Sequence, residues 1–293
     1  MNTAPVSTLQ KNNLKSLRKL ALLACFAATL ACNASAVNHF WNSANGNWNV
    51  AGNWWDGSGT TIPTAADDVY IQSGGLGSPR VANIPAGYAA VANGIFGPAW
   101  GDNEAATLNI ASGGSLTVGG WFQMAHNGAN SLGNVITAGT LTINGGLSTA
   151  YFGKSLFTVN GGNVYVAGQL EAAWNGLGRT TLQLNGGAMS INTIDFLRGP
   201  GYNGDNQIIN LAGGTLELRD ASNLGVSGQG VYWVDKWITD GLIVANGGAG
   251  QVQKLVVGNT VTLSLQAVPE PTTMGLLVLG VGCLSAMRRR AQK

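Results

Sequence analysis

The chain has 293 residues, 45% hydrophobic and only 10% charged, with 44 glycines. The formal charge of +2 is misleading, because eight of the 15 cations sit before residue 20 or after residue 287. Residues 37–267 keep seven cations and twelve acids, a net charge near −5, which excludes a phosphate-binding surface built on clustered Lys and Arg.

The first element is a leader. Lys11, Lys15, Arg18 and Lys19 precede the apolar run Leu20–Leu30, which ends at the small residues Ala34-Ser35-Ala36. A basic stretch, a short apolar stretch and an A-x-A site together make a secretory signal, cut after Ala36 and read by the Sec translocon. Cys32 invites a lipoprotein reading, but Thr29 stands where such signals carry leucine. The expected layout is 1–36 signal peptide, 37–102 Trp-rich cap and first coils, 103–220 repeats, 221–267 C-terminal coils or cap, and 268–293 a sorting tail.

The cap opens on Trp41, Trp48, Trp54 and Trp55, followed by Asp67-Asp68-Val69-Tyr70-Ile71. Tryptophan offers a broad apolar face with one polar handle. These four are therefore candidates either for stacking on sugar rings or for plugging the end of the core.

From residue 107 one pattern recurs: an alternating strand, a glycine pair, then another alternating strand. The second glycines, Gly114, Gly139, Gly162, Gly187 and Gly214, are spaced by 25, 23, 25 and 27 residues. Alternation buries one side of each strand, and the inward set after each corner reads Leu116/Val118, Leu141/Ile143, Val164/Val166, Met189/Ile191 and Leu216/Leu218. Glycine supplies positive φ at the corners, and Asn160 and Asn185 tolerate it. A third short strand follows at Trp121–Met124, Gln169–Ala172 and Ile194–Leu197. Three strands in about 25 residues is one coil of a solenoid, which buries its inner side only by stacking on its neighbours.

The expected fold is all-β: a single-stranded parallel β-helix of about five or more coils, with capping regions. An N-terminal signal helix and a C-terminal apolar helix flank it. A meander of hairpins is the competing topology. The Trp-Asn opening, the Asp-Asp-Val-Tyr-Ile strand and the Gly-Gly pairs resemble bacterial surface proteins with autotransporter-type β-helical repeats.

Cys25, Cys32 and Cys283 all fall in the terminal segments, so the passenger folds without disulfides. Its length suffices for a core without staples. His39 and His126 are the two histidines, and no Cys-His or His-Glu-x-x-His spacing exists, so neither a metal nor a cofactor is expected. A Ser-His-Asp triad would have to use one of those two histidines. The one carboxylate pair that the register aligns is Glu171 with Asp195, on the outward side of neighbouring third strands. β-Helix polysaccharide lyases place acids on such a face and add a basic residue as proton abstractor, the part Arg198 would take. A solvated acidic face is the plainer alternative.

The last element is Pro269-Glu270-Pro271, a sixteen-residue apolar run from Thr272 to Met287, then Arg288-Arg289-Arg290. The run is short for a membrane span, and the arginines hold its end on the cytoplasmic side. These three parts in this order resemble the PEP-CTERM sorting signal. That resemblance implies recognition by an exosortase, a membrane peptidase. It also implies an inner-membrane intermediate and delivery to the surface or exopolysaccharide matrix of a Gram-negative bacterium. The expectation is a structural or adhesive surface protein without catalysis. A carbohydrate-binding module on the tryptophans, or a β-helix lyase or hydrolase, would be the alternatives.

Overall fold

The computed structural model describes residues 36–72, 79–99, 101, 103–128, 130–172, 178–195, 207–223 and 231–266. The chain divides into two units, Met1–Val37 and Asn38–Lys293, and among the described residues every strand lies in the second. The expected signal helix and the C-terminal apolar helix lie outside the described residues. Among the described residues no helix is long and apolar enough to cross a membrane.

The chain enters through β1 (Asn38–Trp41), β2 (Asn45–Asn47), β3 (Trp54–Trp55) and β4 (Asp68–Tyr70). About six coils follow. The first is β5 (Arg80–Ile84), β6 (Ala89–Ala92) and β7 (Gly94–Phe96); the second is β8 (Ala105–Ile110), β9 (Ser115–Val118) and β10 (Phe122–Met124). The third is β11 (Leu132–Thr137), β12 (Thr140–Ile143) and β13 (Leu147–Thr149). In the fourth, β14 (Lys154–Val159) leads into β15 (Asn163–Ala172), one long strand that serves two faces through an irregularity after Val166. The fifth repeats this with β16 (Arg179–Leu184) and β17 (Ala188–Asp195), and the sixth has β18 (Gln207–Leu211) and β19 (Thr215–Leu218). Helix α1 (Val231–Thr239), strand β20 (Ile243–Ala245) and the hairpin β21 (Val252–Val257) with β22 (Thr260–Leu265) close the far end.

The coils stack into three parallel faces. The first is an eight-stranded sheet, β2-β5-β8-β11-β14-β16-β18-β20. The second runs β6-β9-β12-β15-β17-β19, and the third runs β1-β4-β7-β10-β13 and on through the later halves of β15 and β17. The strands flanking each glycine pair sit in different ladders and pair with the next coil, not with each other. That rules out the hairpin meander. Among the described residues antiparallel strand pairs occur only at the ends, β3 on β1 and the β21–β22 hairpin on β19. There they cover strand edges that would otherwise recruit another chain.

The core follows the alternation. Leu116, Leu141, Val164, Met189 and Leu216 form one continuous column in register, each fully or almost fully buried. Each contributes about 1.5–3 kcal/mol by leaving water. The column begins one coil earlier than the glycine pairs show, at Ala90 opposite Leu116. A polar thread crosses the interior where Thr180 Oγ1 donates to Thr149 O at 2.8 Å and meets Ser155 Oγ at 3.1 Å, so these buried hydroxyls keep their hydrogen bonds.

The corners differ from the expectation in one respect. Positive φ falls on Gly113, Gly162, Gly187 and Gly213, not on Asn160 or Asn185. Those asparagines stack instead, Asn185 Nδ2 donating to Asn160 Oδ1 at 2.8 Å. Gly162 is required twice over: its φ is +66°, and a Cβ there would fall 2.0 Å from Gly139 O of the coil below. Outside the first face, Asn109 donates to Asn83 at 2.9 Å and Asn83 to Asn45 at 2.8 Å, a side-chain ladder running along the axis.

Helix α1 is the element the periodicity reading missed. Val234 and Trp237 are its buried residues, and their spacing of three, with Val231 and Ile238 packed at the margin, is the helical signature. It lies within residues 221–267, where the expectation is C-terminal coils or cap.

Candidate functional site

The four tryptophans of the cap separate into two groups. Trp41, Trp48 and Trp54 are buried, at 2%, 0% and 0% exposure, and interlock edge to face. Trp41 and Trp54 are 4.8 Å apart at 81°, and Trp48 and Trp54 are 4.7 Å apart at 69°. Trp54 Nε1 donates to Trp48 O at 2.8 Å. Alternation along β1 and β3 turns Trp41 and Trp54 inward, and Trp48, just after β2, packs with them, so the three plug the first coil and present no face to a sugar. Trp55, next along β3, points out and is 49% exposed.

Beside this plug is a constellation that resembles a hydrolytic triad. Thr61 Oγ1 lies 2.9 Å from Nε2 of the buried His39, whose Nδ1 lies 3.9 Å from Asp67 Oδ2. The proton order is wrong for a nucleophile. Thr61 donates its only proton to Asp56 Oδ2 at 2.8 Å. Asp56 is a strong acceptor: the backbone N–H of Ser58 first, then Thr61 and Gly59, hold its carboxyl far below the usual range. His39 Nε2 must therefore be the donor to Thr61, and Asp67 is engaged by Thr64 through N at 2.8 Å and Oγ1 at 2.7 Å. The cluster pins the loop that ends at Asp67 across the cap.

The third face places Glu171 opposite Asp195, as the register reading expects. Glu171 alternates with the inward Leu170 and Ala172 and so faces outward, but it is only 8% exposed and accepts from Gln169 Nε2. It is a covered carboxylate rather than an open one. The Asp195 side chain and Arg198 lie outside the described residues. Among the described residues no group of three or more His, Cys, Asp or Glu is positioned to hold a metal ion.

Of the aromatic residues on the outer side of the third face, the sequence reading named Trp55 as a stacking candidate and did not single out the others. Phe40, Tyr70 and Phe96 occupy successive rungs and stack ring on ring, 5.0 Å apart at 22° and then 5.0 Å at 18°. Trp55 closes the stack 5.7 Å from Phe40. The same column continues as Gln123, Ser148, Glu171 and Asp195. Two residues before it in each strand runs a second outward column, in which Trp121 is flanked by Gly94 and Gly146. The available signal was the register itself: Tyr70 and Phe96 follow inward Val69 and Ile95, and no glycine pair marks those coils.

At the corner after the third face, His126 stacks on Tyr151 of the next coil, 4.5 Å apart at 15°. Desolvation holds His126 below its ordinary pKa, against an opposing hydrogen bond with Asn127. On the second face Arg219 lies over the Tyr165 ring at 4.1 Å and donates to Val166 O at 2.6 Å, while Ser190 donates to Glu217 at 2.8 Å. All these groups are mutually satisfied and read as ladders that tie coils together.

The fold is thus a three-sided parallel β-solenoid. Residues 267–290 match the family model of the PEP-CTERM protein-sorting motif. That motif is a recognition signal for exosortase, and it implies export and sorting to the cell surface in Gram-negative bacteria. No curated protein and no solved structure matches the chain.

Proposed function

We propose that this chain is a structural protein of the cell surface or extracellular matrix, a non-catalytic solenoid of autotransporter-like kind. The Sec translocon exports it, and its tail delivers it to an exosortase-type peptidase. The observation that carries the reading is the sorting motif at 267–290, which begins just after β22 closes the solenoid at Leu265. The tail would pause in the inner membrane with Arg288, Arg289 and Arg290 retained inside, leaving Pro269-Glu270-Pro271 at the outer surface for processing. The rest of the chain supports a passive role. Asparagine ladders run along its first face, and the acid pair that the register aligns includes a covered glutamate.

The experiment is fractionation of the native host with surface proteolysis, comparing the full chain with a version lacking residues 268–293. The full chain should be found at the surface or in the matrix and be cut by added protease. The shortened chain should accumulate in the periplasm or medium without surface attachment. Equal surface attachment of both would overturn the proposal.

A further inference from the structure

We propose that the third face of the solenoid is a binding track for an uncharged polysaccharide, with Trp121 and Trp55 as stacking platforms. The proposal rests on the reading above only for access to a matrix glycan.

The asymmetry of the three faces is the first observation. Among the described residues the outward positions of the first face carry no aromatic side chain, and those of the second carry Tyr165 alone. The third carries Phe40, Tyr70, Phe96 and Trp121, with Trp55 at its end. An aromatic series confined to one of three equivalent faces is not accounted for by strand propensity, which acts on all three.

The second observation is where ring surface remains open. Phe40, Tyr70 and Phe96 use their faces on one another and show edges outward. Trp121 does not join that stack. Its benzo ring lies over Gly146, where a Cβ would come within 2.5 Å of the ring, whereas the space at Gly94 one coil earlier is taken by Asp68. Seated on the Gly146 backbone, the indole remains 38% exposed. An exposed, seated indole suits the apolar C–H face of a pyranose.

Polar groups and charge then select the ligand. Gln123 and Gln169 stand beside the platform in the same two columns and are half-buried; Gln123 offers an amide donor and acceptor to sugar hydroxyls, and Gln169, its Nε2 held by Glu171, offers its carbonyl oxygen. Among the described residues the outward positions of this face include no Lys or Arg, while Asp68 and Glu171 are present. A polyuronate or a nucleic acid would meet only repulsion there. Strands on this face repeat at roughly 4.8 Å, close to the length of one sugar in an extended chain. Successive rungs and successive sugars therefore keep pace along the axis.

The test is affinity electrophoresis of the full chain, purified from an exporting host, through gels containing hydroxyethylcellulose, laminarin, dextran or polygalacturonate. At least one neutral gel should retard it, and polygalacturonate should not. Trp121→Ala should weaken retardation at least tenfold with an unchanged melting temperature. Gly146→Val, which fills the seat and displaces the indole, should do the same, and Trp55→Ala should weaken it several-fold. Tyr165→Ala on the second face should stay within twofold. Free migration in every neutral gel, preference for polygalacturonate, or equal losses from Tyr165→Ala and Trp121→Ala would overturn the proposal. None of these outcomes bears on where the cell sends the protein, so failure here leaves the sorting reading standing.

Discussion

Replacing Gly162 by alanine while leaving Gly161 alone separates the stacked-corner account from any reading in which glycine pairs merely mark flexible turns. Gly162 has φ +66°, and a Cβ there would lie 2.0 Å from Gly139 O and 2.8 Å from Ala138 O. Both contacts are backbone atoms of the coil below, held by the hydrogen bonds of the ladder, so nothing can swing aside. The left-handed conformation costs alanine about 1–2 kcal/mol, and prying two packed coils apart adds about 1–3 kcal/mol. The expected loss is about 2–5 kcal/mol. At Gly161 the nearest atom to a Cβ is Ala138 O at 4.0 Å and φ is not positive, so alanine should be neutral or stabilise by up to about 1 kcal/mol through the unfolded chain. Urea unfolding followed by circular dichroism reads the difference; with a slope of about 2–3 kcal/mol/M, Gly162→Ala should lower the midpoint by about 1–2 M. Equal effects at the two glycines, or a Gly162→Ala loss below about 0.5 kcal/mol, would refute the reasoning.

Two further outcomes are expected. Leu141→Asp should abolish cooperative folding, because it places an unpaired carboxylate in a fully buried column between Leu116 and Val164 at a cost above about 4 kcal/mol. Thr142→Asp on the wet side should change the melting temperature little, and similar behaviour of the two would reverse inside and outside. For His126, desolvation makes the folded state bind its proton less readily than the unfolded state, so stability should fall as pH drops below the ordinary imidazole value of about 6.5. His126→Phe keeps the ring contact with Tyr151 and should lose less melting temperature than the native chain between pH 7.5 and pH 5, and an equal loss in both would contradict the desolvation of His126.

The solenoid was legible because its signal is redundant. Each of five coils repeats an apolar pair two residues apart behind a glycine corner, and the register from Leu116 to Leu216 follows the spacing of those glycines. The coil before them was not, since Pro85-Ala86-Gly87-Tyr88 replaces the glycine pair and Ala90 and Ala92 replace the larger core residues. Burial of Trp41, Trp48 and Trp54 depended on a cap that closes over the first coil, which no local pattern states. The outward aromatic column was present in the sequence but spread over rungs some 25 residues apart, where only the coil register brings Phe40, Tyr70 and Phe96 together. Register pairs Glu171 with Asp195, yet register says which residues are neighbours and not whether something covers them.

The central claim is that this solenoid is delivered outside the cell by a tail that is recognised and removed. Mass spectrometry of the C-terminal peptide, recovered separately from the inner membrane and from the surface and matrix of the native host, tests it most directly. The account predicts surface protein ending near Pro269-Glu270-Pro271, and membrane-held uncut protein when Pro269 and Glu270 are both replaced by alanine. Native protein found only in the inner membrane, with Lys293 still attached, would contradict it.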